Sequence, residues 1–243
     1  MPAFDSSTLA TPAARASAPR VDLYSSIHKA LRLFMTDTLG RVGWLDSDDS
    51  AEVDATLAQV GALLDACRSH AEKENKFVHS AIEARQPGAS ERVAGEHVEH
   101  LDAIAALEAE AASLRAYPTA QAALRFYRHL ARFVGKNFEH MHVEETLHNA
   151  ALWAAYSDAE LADVHQRILA SIEPTEMAQM LRWMVPAMSP VERAGMFLEM
   201  KKQMPPDALR GVLEIVRPHL NETAWAKLAR ALGIGPVPGL VHA

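Results

Sequence analysis

Residues Thr119–Tyr156, TAQAALRFYRHLARFVGKNFEHMHVEETLHNAALWAAY, decide the fold. Thr119 follows Tyr117-Pro118 and reads as an N-cap, its hydroxyl placed to accept from the free backbone N–H groups of a first turn. The helix it opens is expected to run to about Tyr156, and it carries His140-Met-His-Val-Glu144. A separation of four residues turns about 40° around a helix and rises about 6 Å, so both side chains leave one face. Upstream, His70-Ala-Glu-Lys-Glu74 repeats the spacing. One such pair is commonplace on a helix surface, but two on alternate helices are far less expected by chance.

Breaks in the pattern divide the chain around these pairs. Helix 1 is expected from about Val21 to Gly43, stopped by Asp46-Ser-Asp-Asp-Ser50. Helix 2 runs from about Ala51 to Arg85 and is stopped by Pro87-Gly88, and helix 3 runs from about Ser90 to Ala116. The connections are short, which makes successive helices antiparallel neighbours. Residues 21–156 are therefore expected to form an all-α, antiparallel, up-down-up-down four-helix bundle. Ser157-Asp-Ala-Glu160 has the form of a capping box and starts a fifth helix, to about Ser171.

The last third has a different texture. Pro174, Leu181, Met184, Pro186 and Met188 recur as Pro206, Leu213, Val216, Pro218 and Leu220, at one constant offset. A second short helix begins within each copy, at Ser189-Pro-Val-Glu192 and at Asn221-Glu-Thr223. The unit is a helical hairpin used twice, in a helical extension covering residues 157–232. Each hairpin is too small to bury its own apolar face, so it must stack on its copy or on the bundle. This region offers packing, or a surface for a protein partner or for self-association through residues 173–232.

Composition narrows the classes. Apolar residues make up 49% of the 243, enough for a sizeable core, and the shortage of β-branched runs favours helix. A net charge of -7 with no basic stripe excludes a nucleic-acid surface. No apolar run approaches the roughly 18 residues a membrane span needs. Residues 1–20, rich in Ala, Ser, Thr and Pro, lack the apolar centre of a signal peptide and read as a disordered tail, with a flexible tail over 233–243. The single cysteine, Cys67, fits a reducing cytoplasm.

Of the 12 histidines, nine lie between His28 and His148. Height along the bundle tests whether they meet. His28 lies about 15 residues, or roughly 22 Å, before the end of helix 1, and His70 about 19 residues, or roughly 28 Å, after the start of helix 2. His97 and His140 match in the same way on helices 3 and 4. Four sets converge on one level. Burying so many titratable groups apart from one another is costly, whereas a metal turns neutral imidazoles and carboxylates into ligands. The mixture suits iron, and carboxylates can bridge two ions. Leu63 and Phe77 around His70, and Phe133 and Leu147 around His140, are expected to form apolar layers above and below.

His28, His70xxxGlu74, His97 and His140xxxGlu144, one set per helix, resemble hemerythrin-like (HHE) domains over about residues 21–156. The stretches ENKFVHSAIEARQPG (74–88) and EHVEHLDAIAAL (96–107) resemble bacterial members. The resemblance implies a non-haem centre of two iron ions, with His28, His70, His97 and His140 as ligands and Glu74 and Glu144 bridging. Two features depart from the oxygen carriers of that family. Leu101 stands where a second helix-3 histidine is found, and helix 4 offers Glu144 and Glu145 in place of HxxxxD. A missing histidine ligand leaves coordination more open, which speaks against simple oxygen carriage.

Rotation sorts the remaining candidates on an ideal helix. Glu144 lies about 40° from His140 and Glu145 about 140°, so Glu144 is the ligand. His142 is about 160° away and faces a neighbour or solvent. His79 is half a turn from His70 and reads as a non-ligand; His148, about 80° off His140, reads as lying beyond the ligands or at the surface. His129 sits about 16 Å below His140, too far for the same centre. His100, about 60° from His97, either reaches the same ion or flanks it. Tyr24 reads as packing rather than as a partner of the centre, Cys67 as a small core residue, and His165, His219 and His242 as surface or packing histidines. Three functions remain open: reversible O2 or NO binding for sensing or storage; redox or repair chemistry such as NO or peroxide handling or iron delivery; and a metal-free helical scaffold.

Overall fold

A computed structural model describes residues 20–234. Residues 1–19 and 235–243 lie outside it, and with them most of both expected tails and His242. Nine helices account for the regular structure of the described residues, and none is a strand. Helix α1 is Ser25–Gly43. Helix α2 begins as Ser50–Lys73, continues as a π-helical segment Glu74–His79, and returns to α-helix over Ser80–Arg85. Helix α3 is Glu91–Ala116. Helix α4 repeats the construction of α2: Ala120–Val143, a π-helical segment Glu144–His148, then Asn149–Ala155. The extension holds α5 (Asp158–Ala170), α6 (Pro174–Ala187), α7 (Pro190–Gln203), α8 (Pro206–Val216) and α9 (Glu222–Leu232).

The ends are set by local chemistry. Asp49 accepts from the backbone N–H groups of Ala51 and Glu52, and Thr119 from Ala122. Ser157 with Glu160, and Ser189 with Glu192, form capping boxes, each closing two otherwise free donors. Gly233, expected in the flexible tail, instead ends α9 in the left-handed region at φ 66°, where a Cβ is disfavoured. Arg20, expected in the other tail, is anchored: its guanidinium meets Asp158 at 2.7 Å and donates to the Tyr156 carbonyl at 2.7 Å.

Helices α1 to α4 pack in a closed ring, α1 against α2 and α4, and α3 against the same two. Two apolar clusters fill it. The larger includes Leu31, Leu63, Cys67, Ile104, Leu130, Phe133 and Met141. The smaller gathers Tyr24, Val78, Ile82 and Leu152 under Leu161 and Val164 of α5, which packs on the π segment of α2. His28 lies on the chain between Tyr24 of the smaller cluster and Leu31 of the larger, and His70 between Cys67 of the larger and Val78 of the smaller. In the extension, α6 packs on α8 and α7 on α9, so each helix pairs with its counterpart in the other copy. Helix α6 also lies along α1, where Trp183 stacks on Phe34 with ring centroids 4.0 Å apart. No helix among the described residues is long and apolar enough to cross a membrane.

Candidate metal centre

The i, i+4 pairs of α2 and α4 turn their side chains into the ring, and His28 of α1 and His97 of α3 meet them. All six expected site residues come together. His28 and His70 approach Nε2 to Nε2 at 3.2 Å, and His97 and His140 at 3.0 Å. The two carboxylates lie between these couples. Oε1 of Glu74 is 3.2 Å from His70 and 3.7 Å from His28, while its Oε2 is 3.4 Å from His97. Oε2 of Glu144 is 3.4 Å from His28, while its Oε1 is 3.4 Å from His140 and 3.8 Å from His97. Each carboxylate thus presents one oxygen to each histidine couple.

None of these four oxygens accepts a hydrogen bond, although Glu144 is fully buried and Glu74 nearly so. A buried carboxylate left in that condition costs several kcal/mol. Three of the four outer ring nitrogens, by contrast, are engaged. Nδ1 of His28 meets Glu145 at 3.1 Å, itself held by Arg32; Nδ1 of His97 meets Asn75 Oδ1 at 2.9 Å; Nδ1 of His140 meets Glu96 at 2.9 Å. Acceptors on Nδ1 favour the proton there, so that each ring, once neutral, turns its Nε2 lone pair inward, the arrangement that orients imidazole ligands. Two groups can each hold a metal ion: His28, His70, Glu74 and Glu144; and Glu74, His97, His140 and Glu144. The orphaned oxygens and inward lone pairs fit such ions.

Without an ion, the charges settle unevenly. Burial lowers the pKa of His70 to about 3. Burial also opposes charge on His28, but the Glu145 hydrogen bond and the nearby Glu74 and Glu144 carboxylates outweigh it and raise its pKa to about 9. Burial, reinforced by the charge of Glu74, lifts Glu144 to about 7. Glu74 resists its own burial through the surrounding histidines and stays well below the usual carboxylate range.

One sequence expectation needs correction, and two histidines turn further inward than an ideal helix implies, with one cause. His79 and His148 are buried, and Leu147, expected in an apolar layer, is 60% exposed. Both histidines end π-helical segments. A π turn closes i→i+5 bonds and fits one more residue than an α turn, so everything after it rotates. Val78 takes the buried place beside Phe77, which is half-buried, and His148 turns in where Leu147 was expected. His79, His148 and Glu144 form a third group able to hold an ion. Tyr24 is also more than packing, since its hydroxyl lies 3.1 Å from Nδ1 of His148. The signal available in the sequence was the recurrence of a histidine shortly after each HxxxE, at positions 79 and 148.

The other candidates fall as read. His142 is exposed, and His129 pairs with Glu110 at the surface. His100 is buried edge-on against His140 and lies outside all three groups. Cys67 is a free, buried thiol whose pKa burial pushes up to about 12. A cavity of about 10 Å³ opens beside the His70, His97 and His140 rings, walled by Leu31, Cys67, Ile104 and Met141. Compared with family models, curated proteins and solved structures, the chain matches none.

Proposed function

We propose that this chain is a hemerythrin-like protein whose antiparallel four-helix bundle holds two non-haem iron ions and binds O2 or NO for sensing or storage. The observation that carries the reading is the placement of Glu74 and Glu144, each with one unpartnered oxygen toward each histidine couple. Two carboxylates in that posture could be shared by a pair of ions, and mixed imidazole and carboxylate ligation suits iron. Such a centre would supply two ferrous ions able to bind small diatomic ligands reversibly. The protein's part is to hold the imidazoles by their Nδ1 atoms, keep Glu74 ionised, and exclude bulk water with apolar side chains on both sides.

The cavity beside the centre favours a small ligand. Its volume is close to the minimum for one water-sized molecule, and its walls are mostly apolar. Cysteine-dependent repair chemistry is disfavoured, because a buried thiol held at about 12 supplies no thiolate near neutrality. The free thiol accords with a reducing, cytoplasmic setting. Residues 173–232 read as two stacked copies of one hairpin, through which a signal would leave the bundle.

The test is metal analysis followed by ligand titration. Purified protein is expected to contain close to two irons per chain, and His70→Ala or Glu74→Ala to lose most of it. Zinc alone, or iron retained in both variants, defeats the reading. Adding O2 or NO to the reduced protein is expected to give a stable charge-transfer band; rapid irreversible oxidation would point to redox chemistry or iron handling instead.

A further inference from the structure

Beyond the two-ion centre lies a cluster of buried polar side chains that the proposed activity does not use. His79 and His148 are 5% and 2% exposed, and neither nitrogen of His79 nor Nε2 of His148 has a hydrogen-bond partner. His79 stacks flat on His97 at 5.0 Å between centroids, and His148 stands edge-on to His79 at 5.2 Å. One nitrogen from each ring and one oxygen of Glu144 lie within 4.8 Å of one another. Tyr24, which meets His148, belongs to the apolar cluster of Val78, Ile82, Leu152 and Leu161.

We infer that His79, His148 and Glu144 form a third cation subsite, which takes a divalent first-row transition ion such as Zn2+ or Fe2+. Two imidazoles and a carboxylate are the donor set of open three-ligand sites. Tyr24 is the positioning residue. For Nε2 of His148 to offer its lone pair, Nδ1 must carry the proton and donate it to the Tyr24 oxygen, and the observed 3.1 Å contact allows that. Burial and the neighbouring carboxylates keep the phenol protonated and neutral. The subsite shares Glu144 with the two-ion centre, so its ion meets the charge of the other two and binds last and most weakly.

The test uses iron-loaded protein in equilibrium dialysis against Zn2+, with both metals measured, and crystals soaked in Zn2+ and mapped by anomalous scattering at the zinc edge. The expected result is one zinc per chain beyond the iron, with its peak between His79, His148 and Glu144. His148→Ala should abolish that extra equivalent and retain the iron, and Tyr24→Phe should weaken it about 10–100-fold. A total that stays at two because zinc replaces iron, a zinc peak elsewhere, or undiminished uptake by His148→Ala overturns the inference. If His148→Ala fails to fold, the soaked wild-type crystal decides alone. A protein that takes up no iron defeats the two-ion reading separately, and the zinc peak still decides the third subsite.

Discussion

His97 and His140 meet nitrogen to nitrogen, with their Nε2 atoms 3.0 Å apart and each Nδ1 turned away to an acceptor, Asn75 or Glu96, at 2.9 Å. With an acceptor on each Nδ1, the two Nε2 atoms face each other with no acceptor between them. That contact is repulsive until a proton or a cation stands between them. His140→Ala is therefore expected to lower metal content well below two ions per chain, as His70→Ala does from the other couple. An unchanged content in that variant would count against the centre.

Proton release should accompany metal uptake. In the metal-free protein His28 keeps its proton up to about pH 9 and Glu144 up to about pH 7. An entering ion displaces these protons, so apparent affinity should rise with pH, by about tenfold per unit for each proton displaced, and level off above about 9. Calorimetry in buffers of different ionisation heat measures the release, and none at pH 7 contradicts the assignment. Folding of the metal-free chain follows the same linkage. The His28 contribution is fully present below its ordinary 6.5 and is lost as pH rises through 9. His70, depressed to about 3, acts the other way: the unfolded chain takes up its proton first, and stability falls as pH drops from 6.5.

Glu145 is expected to act through His28 rather than on the metal. It accepts from Nδ1 of His28 at 3.1 Å and is clamped by both terminal nitrogens of Arg32. Glu145→Ala should lower affinity at the His28 half about 10–100-fold, with Glu145→Gln milder because an acceptor remains. Competition with a chelator of known affinity reads the difference; equal loss in both variants would mean that charge, not orientation, matters.

Docking of the extension rests on a stacked pair. Phe34 is 4% exposed and lies 4.0 Å from Trp183, with their planes 12° apart. Phe34→Ala should cost about 3–5 kcal/mol in denaturant unfolding. It should also hasten proteolysis within residues 173–232 relative to the bundle. A loss below about 1 kcal/mol would show that the contact is incidental.

Helix placement was legible because caps and breakers act locally. Pro118 with Thr119, Pro87-Gly88, and Ser189 with Glu192 mark their ends within a residue or two. The two HxxxE pairs were legible because four residues span one α turn. What was not legible begins where that turn widens. Nothing in Glu74-Asn-Lys-Phe-Val-His79 or Glu144-Glu-Thr-Leu-His148 announces an i→i+5 ladder, which tertiary packing selects. Projection on an ideal helix therefore misplaced Leu147, and it did not show that His79 and His148 turn inward or that Tyr24 meets His148.

Lys29 follows His28 in the chain, and Ser69 precedes His70. Lys29 reaches Glu192 at 2.6 Å, Ser69 reaches Glu176 at 2.5 Å, and Lys73, beside Glu74, reaches Glu176 at 2.7 Å. The turns of α1 and α2 that hold imidazoles toward the interior thus grip the C-terminal third by their opposite side. Were either turn to rotate on seating an ion, its contacts with the extension would move with it, so the last third of the chain is harnessed to α1 and α2 rather than trailing from the end of α5.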